Sequence, residues 1–119
     1  MNAQILAQGS YADSASSVRT PRIIEYDLLA RTTRALKCAD GFAALADALH
    51  ENRRLWTALA ADVAEPTNGL PAELRARLFY LFEFTAHHSR RVLAGQADAS
   101  ALVEINTAVM RGLAARGDE

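Results

Sequence analysis

The chain has 119 residues and a mass of 12.9 kDa, with 50% hydrophobic and 23% charged residues. That is enough apolar surface for one compact domain and too little chain for two, and it excludes general disorder. The 13 Lys and Arg stand against 14 Asp and Glu with no long block of either sign, so bulk charge does not hold this protein to nucleic acid or to a membrane.

Residues 1–19 are rich in Ser, Ala and Gln and offer little to pack, so they are expected to form a flexible N-terminal arm ahead of a single helical domain over 20–119. They carry no early Lys and no continuous apolar stretch, and do not read as a signal peptide. Thr20 followed by Pro21 is a helix-start signal. The first helix is expected to reach about Cys38, with Ile24, Leu28, Thr32, Ala35 and Leu36 as its buried stripe and Arg31, Arg34 and Lys37 on its other face.

After Asp40-Gly41 comes the clearest periodicity in the chain: Phe42, Leu45, Leu49, Asn52, Trp56, Leu59 and Val63, in alternating steps of three and four. Pro66 and the Thr67-Asn68-Gly69 turn close that helix. Pro71 opens a third, with Glu73 in the first turn, a stripe of Leu74, Leu78, Leu81, Thr85 and Val92, and an end near Gly95. Asp98 or Ser100 is expected to cap a fourth, with Leu102, Ile105, Val109 and Leu113 turned inward and a tail from Ala114 that frays. About a fifth of the residues are Ala and no segment alternates for a strand's length, so the expected fold is all-α, a small antiparallel bundle of about four helices.

Catalytic chemistry finds little to stand on. His50-Glu51 resembles the start of a zinc-protease motif, but the second His position is Arg54. His87 and His88 point about 100° apart on a helix and do not easily share a metal. Glu83 and His87 are spaced for an ion pair, yet no Ser or Cys completes a nucleophilic set. Cys38, the only cysteine, excludes an internal disulfide and suits a reducing compartment. No glycine-rich loop leads a helix. The expectation is a cytoplasmic protein that is not an enzyme, with no metal or cofactor. The longest apolar run, Leu78 to Phe82, is far short of the ~20 residues that cross a bilayer, so no membrane span is expected. Arg31, Arg34 and Lys37 are flanked by Asp47, Glu51, Asp62 and Glu65, which makes RNA binding an unfavoured use of them.

One segment carries more apolar surface than a core stripe needs. In Leu78 to Phe84 the rings of Phe79, Tyr80, Phe82 and Phe84 spread around most of the helix. One reading is burial of the third helix between its neighbours, which a bundle of this size manages only partly; the other is a groove for an amphipathic helix of a partner, or for a second copy in a homodimer. Phe79, Phe82 and Phe84, with Arg53 as polar rim, are the candidate partner-binding residues. Asn52 and Asn106 lie on or beside apolar stripes, where buried amides need partners and fix register.

Three segments together, Asn52 to Ala64 (NRRLWTALAADVA), Asn68 to Leu78 (NGLPAELRARL) and Leu102 to Leu113 (LVEINTAVMRGL), resemble the FlaF family of flagellar biosynthesis regulators of alphaproteobacteria. Thr20-Pro21-Arg22, Glu25-Tyr26 and Arg34-Ala35-Leu36 fit the same pattern, and the resemblance runs from about Tyr11 to Leu113. It implies a small cytoplasmic helical protein that promotes flagellin synthesis and export. It would do so by binding flagellin, through an amphipathic terminal helix of that protein, as a secretion chaperone, and it would be opposed by the regulator FlbT. Direct action on flagellin mRNA is the alternative, which near-neutral charge disfavours.

Overall fold

The computed structural model describes residues 20–117, with side chains from 26 to 115. The arm expected over 1–19 lies outside the described residues. Four helices follow in order: α1 (Thr20–Cys38), α2 (Phe42–Ala64), α3 (Ala72–Leu93) and α4 (Ser100–Gly117). No strand occurs among the described residues. The bounds agree with the sequence reading except at the end, where α4 runs on to Gly117 instead of fraying from Ala114.

Each connection has a local cause. Gly41, at φ 97°, turns the chain from α1 into α2 in a conformation that costs a residue with a Cβ. At the next turn the Asn68 side chain donates to the Asp62 carbonyl at 3.2 Å and accepts from the Leu70 amide at 3.1 Å. Arg75 reaches back from α3 to the Glu65 carbonyl at 3.1 Å, which also accepts from the Asn68 amide at 3.1 Å, so the turn is tied to both helices. Helix α3 stops in a Schellman motif: Gly95 N–H donates to Val92 at 3.0 Å and Gln96 N–H to Arg91 at 2.8 Å. Asp98 caps α4 by accepting from both the Ser100 amide, at 3.0 Å, and the Ser100 hydroxyl, at 2.6 Å.

The bundle is antiparallel throughout, as its two apolar clusters show. One joins the end of α1 (Leu36), the start of α2 (Ala48, Leu49), the end of α3 (Val92) and the start of α4 (Leu102). The other joins Leu29, Leu55, Trp56 and Leu59, backed by Leu78, Leu81, Phe82, Ile105, Val109, Met110 and Leu113. Around the square, α1 lies against α4 and α2, α2 lies against α1 and α3, and α3 and α4 touch over the shortest stretch.

Two stripes differ from expectation. Among the described side chains of α1 the buried set is Leu29, Thr32, Thr33 and Leu36, while Ala35 is exposed and Leu28 half-buried; Ile24 lies outside the described side chains. Helix α1 sits between two neighbours, so its buried arc is centred on Leu29, and the Thr33 hydroxyl is satisfied by the Leu29 carbonyl at 2.6 Å. In α2, Phe42 is 66% exposed. It stands at the first position of the helix, beyond the cluster that Leu45, Ala48 and Leu49 close. Ala48, Leu55 and Ala60 join the buried set because α2 packs on two sides.

Between the clusters lies a polar layer. Asn52, Thr85, Ser89 and Asn106 are all buried. Trp56 Nε1–H donates to Asn106 Oδ1 at 2.9 Å, and Asn106 Nδ2 donates to Asn52 Oδ1 at 2.9 Å, so the two amides expected to fix register do so across the bundle diagonal. Asn52 Nδ2, Thr85 Oγ1 and Ser89 Oγ find no partner among the protein atoms.

Candidate partner-binding face

The aromatic segment of α3 divides between core and surface. Phe82 is half-buried and backs the cluster of Leu55, Trp56 and Leu59. Phe79 is 39% exposed and meets Phe82 edge to face, with ring centroids 5.6 Å apart. Tyr80, at 65%, faces outward. Phe84 does not join Phe79 and Phe82. Two positions along a helix turn a side chain by about 200°, which puts Phe84 on the opposite flank. There it stacks on His88 with centroids 5.3 Å apart.

The flank that carries Phe79 and Phe82 is the one turned toward α2. Arg75 precedes Phe79 by four residues on the same flank, and its guanidinium bonds the Val63 and Glu65 carbonyls at the end of α2, at 3.4 and 3.1 Å. On α2 the side facing α1 is marked by a shallow depression of about 360 Å³ lined by Ala35, Cys38, Ala39, Ala44, Asp47, Ala48 and Glu51. The opposite flank of α2, where Arg53 lies exposed, therefore borders α3. Of the four expected residues, Phe79, Phe82 and Arg53 share one face of the α2/α3 hairpin, and Phe84 belongs to the α3/α4 side.

The titratable groups are placed as ordinary side chains. His50 and His87 are exposed, and His88 is buried with Nε2 3.0 Å from the Asp98 carbonyl. A carbonyl only accepts, so Nε2 carries the proton and the ring ties α3 to the start of α4. The ion pairs among the described residues are Arg54–Glu51 at 3.6 Å and Arg77–Glu73 at 3.9 Å; Glu83 and His87 do not form the pair their spacing suggested. Hydrogen bonds from the Ser100 hydroxyl and amide, and then the nearby His88, hold the Asp98 carboxyl below its ordinary range. Cys38 is exposed at the end of α1. Among the described residues no three His, Cys, Asp or Glu side chains converge as metal ligands, and no helix is long and apolar enough to cross a membrane.

Two exposed apolar residues escaped the sequence reading as surface anchors: Phe42, assigned there to the core, and Leu93, 40% exposed at the end of α3. The signal for Leu93 was present, since 79, 82, 86, 90 and 93 follow one another in steps of three and four.

The family model described as FlaF, flagellar protein FlaF, matches residues 7–113. No curated protein and no solved structure matches.

Proposed function

The chain belongs to the FlaF family of flagellar proteins, and from that membership we propose that it promotes flagellin synthesis and export by binding flagellin as a cytoplasmic secretion chaperone. It acts by binding and not by catalysis, and its action opposes that of FlbT. The observation that carries this reading is the pair of Phe79 and Phe82: Phe79 is exposed on the flank of α3 turned toward α2, edge-on to Phe82, which roots it in the core. A flagellin terminal helix has an apolar face that otherwise self-associates, and such a ring gives that face a place to dock.

Calorimetry with purified flagellin tests the proposal. Binding at micromolar concentrations is expected, and Phe79→Ser should weaken it at least tenfold, about 1.4 kcal/mol, while the circular dichroism of the free protein is unchanged. No binding at tens of micromolar removes the chaperone reading. Phe82→Ser is the less clean variant, because Phe82 also backs the core cluster.

The second reading is direct action on flagellin mRNA, and what favours it is that Arg53 and Arg90 are exposed and in neither ion pair. A gel shift with the leader transcript across a salt series separates the two, since phosphate contacts weaken steeply as salt rises.

A further inference from the structure

The face that holds Phe79 and Phe82 is longer than the aromatic pair. On α3 the row continues through Ala86 and Arg90 to Leu93. On α2 the facing row is Phe42, Ala46, His50, Arg53 and Thr57, again in steps of three and four. The apolar clusters set the level of one row against the other. Leu55, Trp56 and Leu59 pack with Leu78, Leu81 and Phe82, and Leu45, Ala48 and Leu49 pack with Val92. Arg53 therefore lies level with Ala86, His50 with Arg90, and Phe42 close to Leu93.

The face has three parts. Phe79 is exposed at one end, and Phe42 and Leu93 are exposed at the other. The middle carries the exposed Arg53, Arg90 and His50 and no carboxylate within the two rows. Glu83, four residues after Phe79 and seven before Arg90, borders the row on its outward side and is in neither ion pair of the described residues, so two arginines stand against one marginal acid. From Phe79 to Leu93 is fourteen residues, about 21 Å at 1.5 Å per residue, or close to four helical turns.

We propose that this face binds one amphipathic helix of a protein partner that carries apolar residues at both ends, about fourteen positions apart, with Asp or Glu between them. Charge complementarity selects the occupant: two exposed arginines at the centre of the face, against a single acid at its margin, favour a carboxylate at mid-helix and disfavour a lysine there. The two apolar ends fix the partner's length, which the aromatic pair alone does not. This inference rests on the reading that the face takes a partner, and adds the chemistry by which the partner is chosen.

Two fluorescein-labelled synthetic helical peptides of roughly 18 residues, enough to cover both ends, make the test. Both carry Leu at the two ends of one face; one has Glu at the two central positions of that face and the other has Lys. Fluorescence anisotropy with the full chain should show the Glu peptide binding at least tenfold more tightly than the Lys peptide, with a preference that shrinks as salt rises. Arg53→Glu with Arg90→Glu should invert the preference, and Leu93→Ser should weaken the Glu peptide several-fold. All three positions are exposed, and circular dichroism checks that the variants keep their fold.

Equal binding of the two peptides, binding of neither, or an unchanged preference in the double variant overturns the inference. So does a dimer, seen by sedimentation, that the double variant dissociates, because the face then belongs to a second copy. Flagellin is titrated separately into the same proteins. If flagellin binds and the Glu peptide does not, this inference falls and the chaperone reading stands. If the Glu peptide binds and flagellin does not, the chaperone reading falls and the face keeps its assigned chemistry.

Discussion

At the scale of single residues, the polar layer separates groups that hold the fold from groups that burden it. Asn106 serves two partners, so Asn106→Ala strands both the Trp56 indole N–H and the Asn52 carbonyl in a buried site; a loss of roughly 2–4 kcal/mol is expected by denaturant titration. Ser89 is the opposite case. Its hydroxyl is buried with no protein partner, so Ser89→Ala should leave stability unchanged or raise it by up to about 1 kcal/mol. Trp56 is 1% exposed at the centre of a cluster, and Trp56→Ala should cost about 3–5 kcal/mol; a change below about 1 kcal/mol would take the ring out of the core. The amides were legible in the sequence, because an Asn on an apolar stripe has to be paired. The hydroxyls were legible only in part. Thr85 fell on the expected α3 stripe, but Ser89 and His88 did not, since a small polar residue gives no hydrophobic signal when its burial is imposed by the neighbours.

At the scale of elements, the ends of α3 and α4 carry their own tests. Gly95, at φ 76°, occupies the left-handed position of the α3 stop, and a Cβ there meets nothing within 4 Å. Gly95→Ala should therefore cost about 1 kcal/mol through backbone conformation alone, as a lowered denaturant midpoint with an unchanged slope. Asp98 makes the start of α4 depend on pH. Its carboxyl is held below the ordinary value by Ser100, so the capping stability is present at neutral pH and lost as pH falls through the lowered value. Thermal melts should show Asp98→Ala below the parent at pH 7, with the gap closing in acid. Helix bounds were readable because Gly, Pro and Asn-Gly punctuate them. The register of α1 was not: Leu28 and Leu29 are adjacent, each starts a plausible stripe, and only packing between α2 and α4 selects Leu29.

At the scale of the whole molecule, the small antiparallel four-helix bundle was contained in four periodic segments joined by short connections, and the family in the order of three sequence segments; which helix neighbours which was not. The candidate face was half legible. Excess aromatics marked α3, but periodicity does not say which neighbour each flank meets. Only the Arg75 bridge to the end of α2 places Phe79 and Phe82 on the α2 side, and only the angle between positions 82 and 84 removes Phe84 from it. A surface made by two helices is read from their joint packing, which is why Phe42, Leu93 and Arg90 emerge with the structure.

The single indole of the chain is tied by its N–H to a helix diagonally across the bundle. The protein thus contains a spectroscopic gauge of its own integrity. One indole cross-peak should appear in a nitrogen–proton spectrum, its solvent exchange should be as slow as the slowest backbone amides, and its emission should lie to the blue of free tryptophan. Opening of the α2–α4 diagonal has to release that proton, so the exchange rate of this one resonance, followed while a partner is added, tells whether docking leaves the bundle shut or pries it apart.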